Sequence, residues 1–253
     1  MGKKRILLKI GSNTLTKETH QISRGKIEDI GRQIKALKDK YEFIIVSSGA
    51  IVAAKQFVEL EHNGAEINVK QALAAIGQPH LMRIFQENFR ELGLFTSQCL
   101  LSYSDFGNAN AKANIKNTIN VLVANDFIPI INENDTVATD EIQFGDNDKL
   151  AALTAALLKV DLLIIATNTN GIYTKESFKD TAPETIATVS GTHGLLKEIS
   201  PTRSSLGTGG MQSKIEAATI AQKAGIETWI TNGLKDNFIS DAIMDISKHT
   251  RIK

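Results

Sequence analysis

The sequence predicts an α/β protein in three layers, with helices covering both faces of a mostly parallel central sheet. Three observations carry this prediction. Short, almost wholly apolar runs recur along the chain, as strands buried on both faces require. The segments between them place apolar residues at helical spacing among charged ones. The alternation of the two runs from one end of the chain to the other, which is the pattern of repeated βαβ units.

The elements follow in order. Ile6 to Ile10 is a buried strand ending in a Gly-Ser-Asn turn, and Ile27, Ile30, Ile34 and Leu37 mark an amphipathic helix after it. Phe43 to Val46 is the next strand, followed by a helix from about Ile51 to Leu60. A longer helix runs from about Val69 to Leu92, and an interruption is expected near Gly77 and Pro79, because proline removes a backbone donor. Phe95 to Leu101 reads as a strand and Ala109 to Asp126 as a helix. Phe127 to Ile131 is a strand, with Pro129 expected at its beginning. Lys149 to Val160 is helical and Leu162 to Ala166 a strand. Residues 172–210 carry Gly and Pro punctuation and read as hairpins and loops. A helix from Met211 to Ala224 and a strand from Thr228 to Thr231 complete the pattern. The stretch from Ala72 to Phe89 suits either the core or a face between subunits. The chain reads as one domain, 1–253, divided near residue 160.

The composition excludes several classes of function. With 253 residues, 42% of them hydrophobic and 23% charged, the chain can build a sizeable core and is not disordered. A formal net charge of +1 gives no reason to expect nucleic acid or an anionic membrane as a partner. Cys99 is the only cysteine, so no internal disulfide or cysteine-based zinc site can form; it is expected to be a small buried residue. There is no signal-like apolar segment at the start and no run near the ~20 apolar residues of a membrane span. A cytoplasmic location is expected. The five histidines form no motif.

In open α/β sheets, ligands bind beyond the carboxyl ends of the strands, so the residues after each strand are the place to look. Lys9-Ile10-Gly11-Ser12 puts a lysine in a buried run, which is unfavourable unless its ammonium reaches a partner. A snorkelling lysine is the competing explanation. Ser47-Ser48-Gly49-Ala50 turns a strand into a helix with small residues and free amides, suited to an anion; ordinary N-capping by serine competes with this. Asn132-Glu133-Asn134-Asp135 ends an apolar strand, and Gly145-Asp146-Asn147-Asp148 opens a helix; polar density of this kind is hard to explain by solubility alone. Gly207-Thr208-Gly209-Gly210-Met211-Gln212-Ser213-Lys214 is a glycine-rich lead into a helix with a lysine one turn in, a device for cradling phosphates. It is not a Walker A loop.

Taken together, these stretches resemble the amino-acid kinase family, and within it the branch that phosphorylates the γ-carboxylate of glutamate. The resemblance implies the amino-acid kinase fold, with a substrate side up to about residue 160 and a nucleotide side beyond it. It implies that Lys9 and Lys214 contact the transferred phosphoryl group and that Asp148 positions both. Ser48, Gly49, Ala50, Asp135 and Asn147 would bind the amino acid. Lys9, Gly11, Thr167, Asn168 and the loop residues Thr208, Gly209, Gly210, Met211 and Lys214 would hold ATP. Mg²⁺ would be carried mainly by ATP, without a dedicated protein site. The family usually has aspartate where this chain has Asn168, so nucleotide affinity or base preference is where a difference is expected. The resemblance further implies a homo-oligomer (dimer or tetramer), proline as feedback inhibitor, and a chain lacking the RNA-modification-type C-terminal domain of many bacterial relatives.

A carboxylate acceptor has an ordinary pKa of ~4.3 and is ionised at neutral pH, so no general base is required. Catalysis would then be positioning and charge stabilisation of an in-line transfer. Two rivals remain at this stage: a kinase of the same fold acting on N-acetylglutamate, aspartate, carbamate or a nucleoside monophosphate, and a sensor that binds ATP and an amino acid without turnover. An acetylated acceptor would leave Asp135 without an ammonium to pair with. A mere sensor would not need both Lys9 and Lys214.

Overall fold

The computed structural model describes residues 2–17, 20–60, 66–138, 147–174, 176–177, 180–192, 195 and 210–253. At its centre is β1 (Lys4–Ile10), flanked by β2 (Tyr41–Ser47) on one side and β5 (Leu162–Thr167) on the other. Beyond β2 lie β4 (Phe127–Glu133) and β3 (Phe95–Leu101); beyond β5 lie β7 (Glu227–Asn232), β8 (Thr250–Ile252) and β6 (Thr188–Val189). The sheet order is β3-β4-β2-β1-β5-β7-β8-β6, and among these pairings only β7 with β8 is antiparallel.

The alternation of side chains along β1 builds the layers. Ile6, Leu8 and Ile10 join one core cluster with Ile27, Ile30 and Ile34 of α2 (Arg24–Leu37) and Phe85 and Phe89 of α4 (Ile67–Glu91). Leu7 faces the opposite cluster, with Ile115 and Ile119 of α5 (Ala109–Ala124), Leu150 and Ala151 of α6 (Asp148–Leu158), and Ala217 and Ala221 of α7 (Met211–Lys223). Each such branched side chain taken out of water contributes ~1.5–3 kcal/mol. The same parity sends Lys9 to the α6–α7 face, and Asn132, in step with Ile130, to the α4 face.

Several expectations are corrected. α4 is continuous through Pro79. Residues on both sides of the proline, from Leu73 and Ala74 to Leu81, Phe85 and Phe89, are buried along one helix, and this packing outweighs one lost backbone bond. At Gly77 an added Cβ would stand 1.8 Å from the Ala50 carbonyl oxygen, so only glycine lets α4 cross so close to α3 (Ala50–Lys55). α3 stops at Lys55, short of Leu60. Pro129 is the third residue of β4, not the first; the ladder with β2 begins one residue later, at Ile45–Ile130, so its missing donor leaves no gap in that pairing. Cys99 is half-buried, because β3 is an edge strand. Among the described residues, the short elements that escaped the sequence reading include α1 (Ser12–Thr16), a 3-10 turn (Tyr103–Gly107), α8 (Phe238–Ile243) and β8. Among the described residues, no helix is long and apolar enough to cross a membrane.

Candidate active site

Strand register gathers the strand-end motifs along one edge of the sheet. Ile10 is level with Ser47 and with Ala166, Val46 with Ile131, and Thr167 with Asn232. The residues just beyond β1, β2, β4, β5 and β7 therefore share one rim, the carboxyl-terminal edge where α/β sheets bind ligands.

At the middle of that rim, Lys9 points from β1 toward α6. Its Nζ lies 2.5 Å from Oδ1 of Asp148, the first residue of α6. The Lys214 Nζ, from the first turn of α7, donates to the other oxygen, Oδ2, at 3.0 Å. All three groups are enclosed, with 4%, 0% and 7% of Lys9, Asp148 and Lys214 exposed. One buried carboxylate thus holds two ammonium groups that start 205 residues apart in sequence. A snorkelling role for Lys9 is set aside, since its charge ends inside the molecule. Asp148 sits at a helix N-terminus, where the backbone dipole favours negative charge. Gly11 lies over the Lys9 ammonium, an added Cβ there being 3.5 Å from Nζ.

A third group holds the same carboxylate. Ser213 Oγ lies 3.0 Å from Asp148 Oδ2 and 2.8 Å from the Gly210 carbonyl oxygen. It ties the start of α7 to the start of α6. Sequence reasoning quoted Ser213 but gave it no role; its place one residue before Lys214 was the available signal.

The residues that the resemblance assigns to the amino acid form a second group on the rim. Ser48 is buried, and its Oγ accepts from Asn147 Nδ2 at 3.2 Å. Serine capping of α3 is ruled out: the cap is Gly49, with φ 110°, and no side chain bonds the helix start there. Ala50 opens α3. Asn147 is fully buried and also faces the Ser47 carbonyl oxygen at 3.1 Å and Asn132 Oδ1 at 2.7 Å. Asn132 in turn donates to Gln78 Oε1 on α4 at 2.8 Å. Gln78 was missed in the sequence, hidden in a stretch read as core or subunit face. Its helix buries a second amide, Asn88, so the local pattern did not single it out. Asp135 is buried in the turn after β4, and burial pushes its carboxyl up to about 6.

On the other side, Thr167 ends β5 and its Oγ1 donates to Asn168 Oδ1 at 3.5 Å, with Asn168 itself exposed. Gly210 caps α7 with extended backbone, and Met211 begins the helix, buried. Thr208, Gly209, Gly145 and Asp146 lie outside the described residues. Among the described residues, no cluster of three His, Cys, Asp or Glu side chains could hold a metal.

Chemically, the centre of the rim offers preorganised positive charge. Among the described residues, Lys214 uses one of its three donors, on Asp148, and the others can meet an anion. Charge placed in advance inside a low-dielectric site stabilises developing negative charge strongly.

Comparison with known proteins places these residues in context. Residues 4–232 match the model of the amino acid kinase family. A glutamate 5-kinase of Alkaliphilus metalliredigens is 39% identical over 249 residues, covering 98% of this chain and 94% of that protein. A glutamate 5-kinase of Vibrio campbellii is 38% identical over 97% of this chain; the chain spans 65% of that longer relative. Among solved structures, carbamate kinase from Giardia lamblia bound to AMP-PNP shares the fold, with TM-score 0.67, 17% identity, and coverage of 99% and 98% of the two chains.

Proposed function

The chain belongs to the amino acid kinase family, and on that premise we propose that it transfers the terminal phosphoryl group of ATP to the γ-carboxylate of L-glutamate. The product would be γ-glutamyl phosphate, and the reaction the first step of proline biosynthesis. The observation that carries the reading is the single buried carboxylate of Asp148 ordering both Lys9 and Lys214 at the sheet edge. Similarity to glutamate 5-kinases over nearly the whole chain supports glutamate as acceptor.

The difficulty of the reaction is electrostatic, since an ionised carboxylate must approach a polyphosphate. Lys9 and Lys214 offset the repulsion and hold the phosphoryl oxygens as charge shifts to the leaving group. Asp148 keeps both ammonium groups in place and accepts no proton. Mg²⁺ would come with ATP and would neutralise phosphate charge, without a dedicated protein site. The ionised Asp135 and the amide of Asn147 receive the α-ammonium of glutamate, and the amides after Ser48, at Gly49 and Ala50, receive a carboxylate. Gly11, Thr167, Asn168, the glycine-rich residues 208–210 and the first turn of α7, with Met211 and Lys214, hold the nucleotide, so the substrate side runs to about residue 160 and the nucleotide side follows. A cytoplasmic homo-oligomer, dimer or tetramer, inhibited by proline, completes the reading.

The test is ATP consumption by purified protein with Mg²⁺, against L-glutamate, N-acetylglutamate, L-aspartate and UMP, with hydroxylamine to trap an acyl phosphate. Hydroxamate formed with glutamate alone is the expected result. Turnover with another acceptor alone overturns the substrate assignment, and ATP binding without any turnover overturns the kinase reading for this chain.

A further inference from the structure

Gln78, Asn132 and Asn147 form a buried chain of side-chain amides that runs from α4 to the Ser48 hydroxyl at the end of β2. Its polarity is set by two backbone groups. The Ser47 carbonyl can only accept, so the Asn147 amide must turn its nitrogen toward it, at 3.1 Å. The Glu133 backbone N–H can only donate, so Asn132 must turn its oxygen toward that group, at 2.9 Å. The Asn132 nitrogen is then directed at Gln78 Oε1, 2.8 Å away, and its oxygen is left to take the Asn147 amide as well, at 2.7 Å.

Among the described residues, this arrangement leaves two buried atoms without a partner, Gln78 Nε2 at the far end of the network and the acceptor Asn147 Oδ1 at the rim. Such groups are rare in folded proteins and call for an explanation. Here the backbone forces the oxygen outward from the network, on a residue already assigned to the acceptor substrate. An α-ammonium, with three donors and no acceptor, is the group that fits. Asp135 takes one of its protons, and Asn147 Oδ1 can take another.

We propose that Gln78 is a positioning residue for the acceptor: it holds the Asn132 amide, which fixes Asn147 with its oxygen presented to the substrate's α-ammonium. This deepens the glutamate reading and rests on it. Gln78 does not touch the reacting atoms. Its place depends on Gly77, which brings α4 against the start of α3 and so delivers the next residue to the rim.

The experiment compares wild type, Gln78→Met, Asn132→Ala and the double variant in steady-state kinetics with MgATP and glutamate. Gln78→Met keeps the length and removes the acceptor oxygen. The KM for glutamate should rise about tenfold or more, with the KM for ATP within about twofold, because a buried amide loses its partner on the acceptor side alone. In the Asn132→Ala background, the same change should add less than about twofold, since a residue acting only through Asn132 has nothing left to act on. An unchanged KM for glutamate, equal rises in both KM values, or full additivity in the double variant overturns the proposal. If Gln78→Met lacks a folded circular-dichroism spectrum, Gln78→Glu replaces it, keeping volume and an acceptor oxygen. There the KM for glutamate should stay within about threefold of wild type, and a tenfold rise overturns the proposal. Wild-type turnover of glutamate, recorded first, tests the acceptor reading separately; if wild type uses a different acceptor, the same ratios are taken with that one.

Discussion

Lys9 and Lys26 are both buried, with 4% and 0% exposed, and each reaches an aspartate, yet their surroundings are built in opposite ways. Around Lys26, one ammonium is served by many groups: Asp29 Oδ2 at 3.1 Å, the Lys235 carbonyl oxygen at 2.5 Å, Asp236 Oδ1 at 3.7 Å and the Phe238 ring at 4.9 Å. Asp29 also accepts from Gln33 Nε2 and from the Asn237 backbone N–H, and Gln33 Oε1 accepts from the first amides of α8. That cluster ties α2 to the chain after β7. Around Asp148, the ratio is reversed, with one carboxylate serving two ammonium groups and a hydroxyl. Burial alone therefore does not mark a functional lysine. What differs is the ratio: several groups gather round the one Lys26 ammonium, whereas the Asp148 carboxylate is shared between two ammonium groups.

The contrast can be broken experimentally. Lys9→Ala and Lys214→Ala should each lower kcat by about 10²–10³, the effect of removing one preorganised charge donor. Both should stay folded, because Asp148 keeps the other ammonium and the Ser213 hydroxyl; near-normal turnover in either would remove that lysine from the mechanism. Lys26→Met should do the reverse. Its buried partner Asp29 loses its cation, and unfolding in urea should register about 3 kcal/mol less stability, the low end for a broken buried pair since two donors to Asp29 remain. Turnover per folded molecule should be unchanged, and a large kcat loss at full folding would erase the distinction drawn here.

Two smaller effects sharpen the picture. Burial raises the Asp135 carboxyl to about 6, so in the free protein its proton is retained above the ordinary carboxylate range. Its ionised form is what pairs with an ammonium, so the KM for glutamate should climb as pH falls below about 6, approaching tenfold per pH unit, while the KM for ATP stays level. The sign for stability is opposite to that of a salt-bridged carboxylate: the free protein is relieved by protonating Asp135, and that contribution fades as pH rises through about 6. A flat pH profile in Asp135→Asn and a sloping one in wild type is the expected pair of results. Ser213→Ala removes the hydroxyl bond to Asp148 and should lower kcat only about fivefold, in line with a single neutral donor; a loss as large as that of Lys214→Ala would make the hydroxyl an equal partner.

How much of this was legible in the sequence follows from the range of the interactions involved. The four strand-end motifs could be found because a strand buried on both faces, and the glycines and polar residues that end it, are local features. Lys9 stood out because a lysine within Ile6 to Ile10 contradicts its neighbours. Ser213 and Gln78 did not stand out, since neither conflicts with its own helix; their roles appear only when α7 meets α6 and α4 meets β4. The passage of α4 through Pro79 escaped for a related reason. A proline rule describes an isolated helix, while Leu81, Phe85 and Phe89 are held by a core that the local sequence does not contain.

By itself the sequence determined the alternation of strands and helices, the parallel three-layer arrangement and the list of residues at the strand ends, because periodicity, glycine placement and burial preference act over a few positions. Only the tertiary structure decided the strand order, the sharing of Asp148 between Lys9 and Lys214, and the amide chain from Gln78 to Ser48. Those depend on register and on contacts between residues far apart in sequence, such as Lys9 and Asp148, where the burial of a charge is offset by groups from other elements.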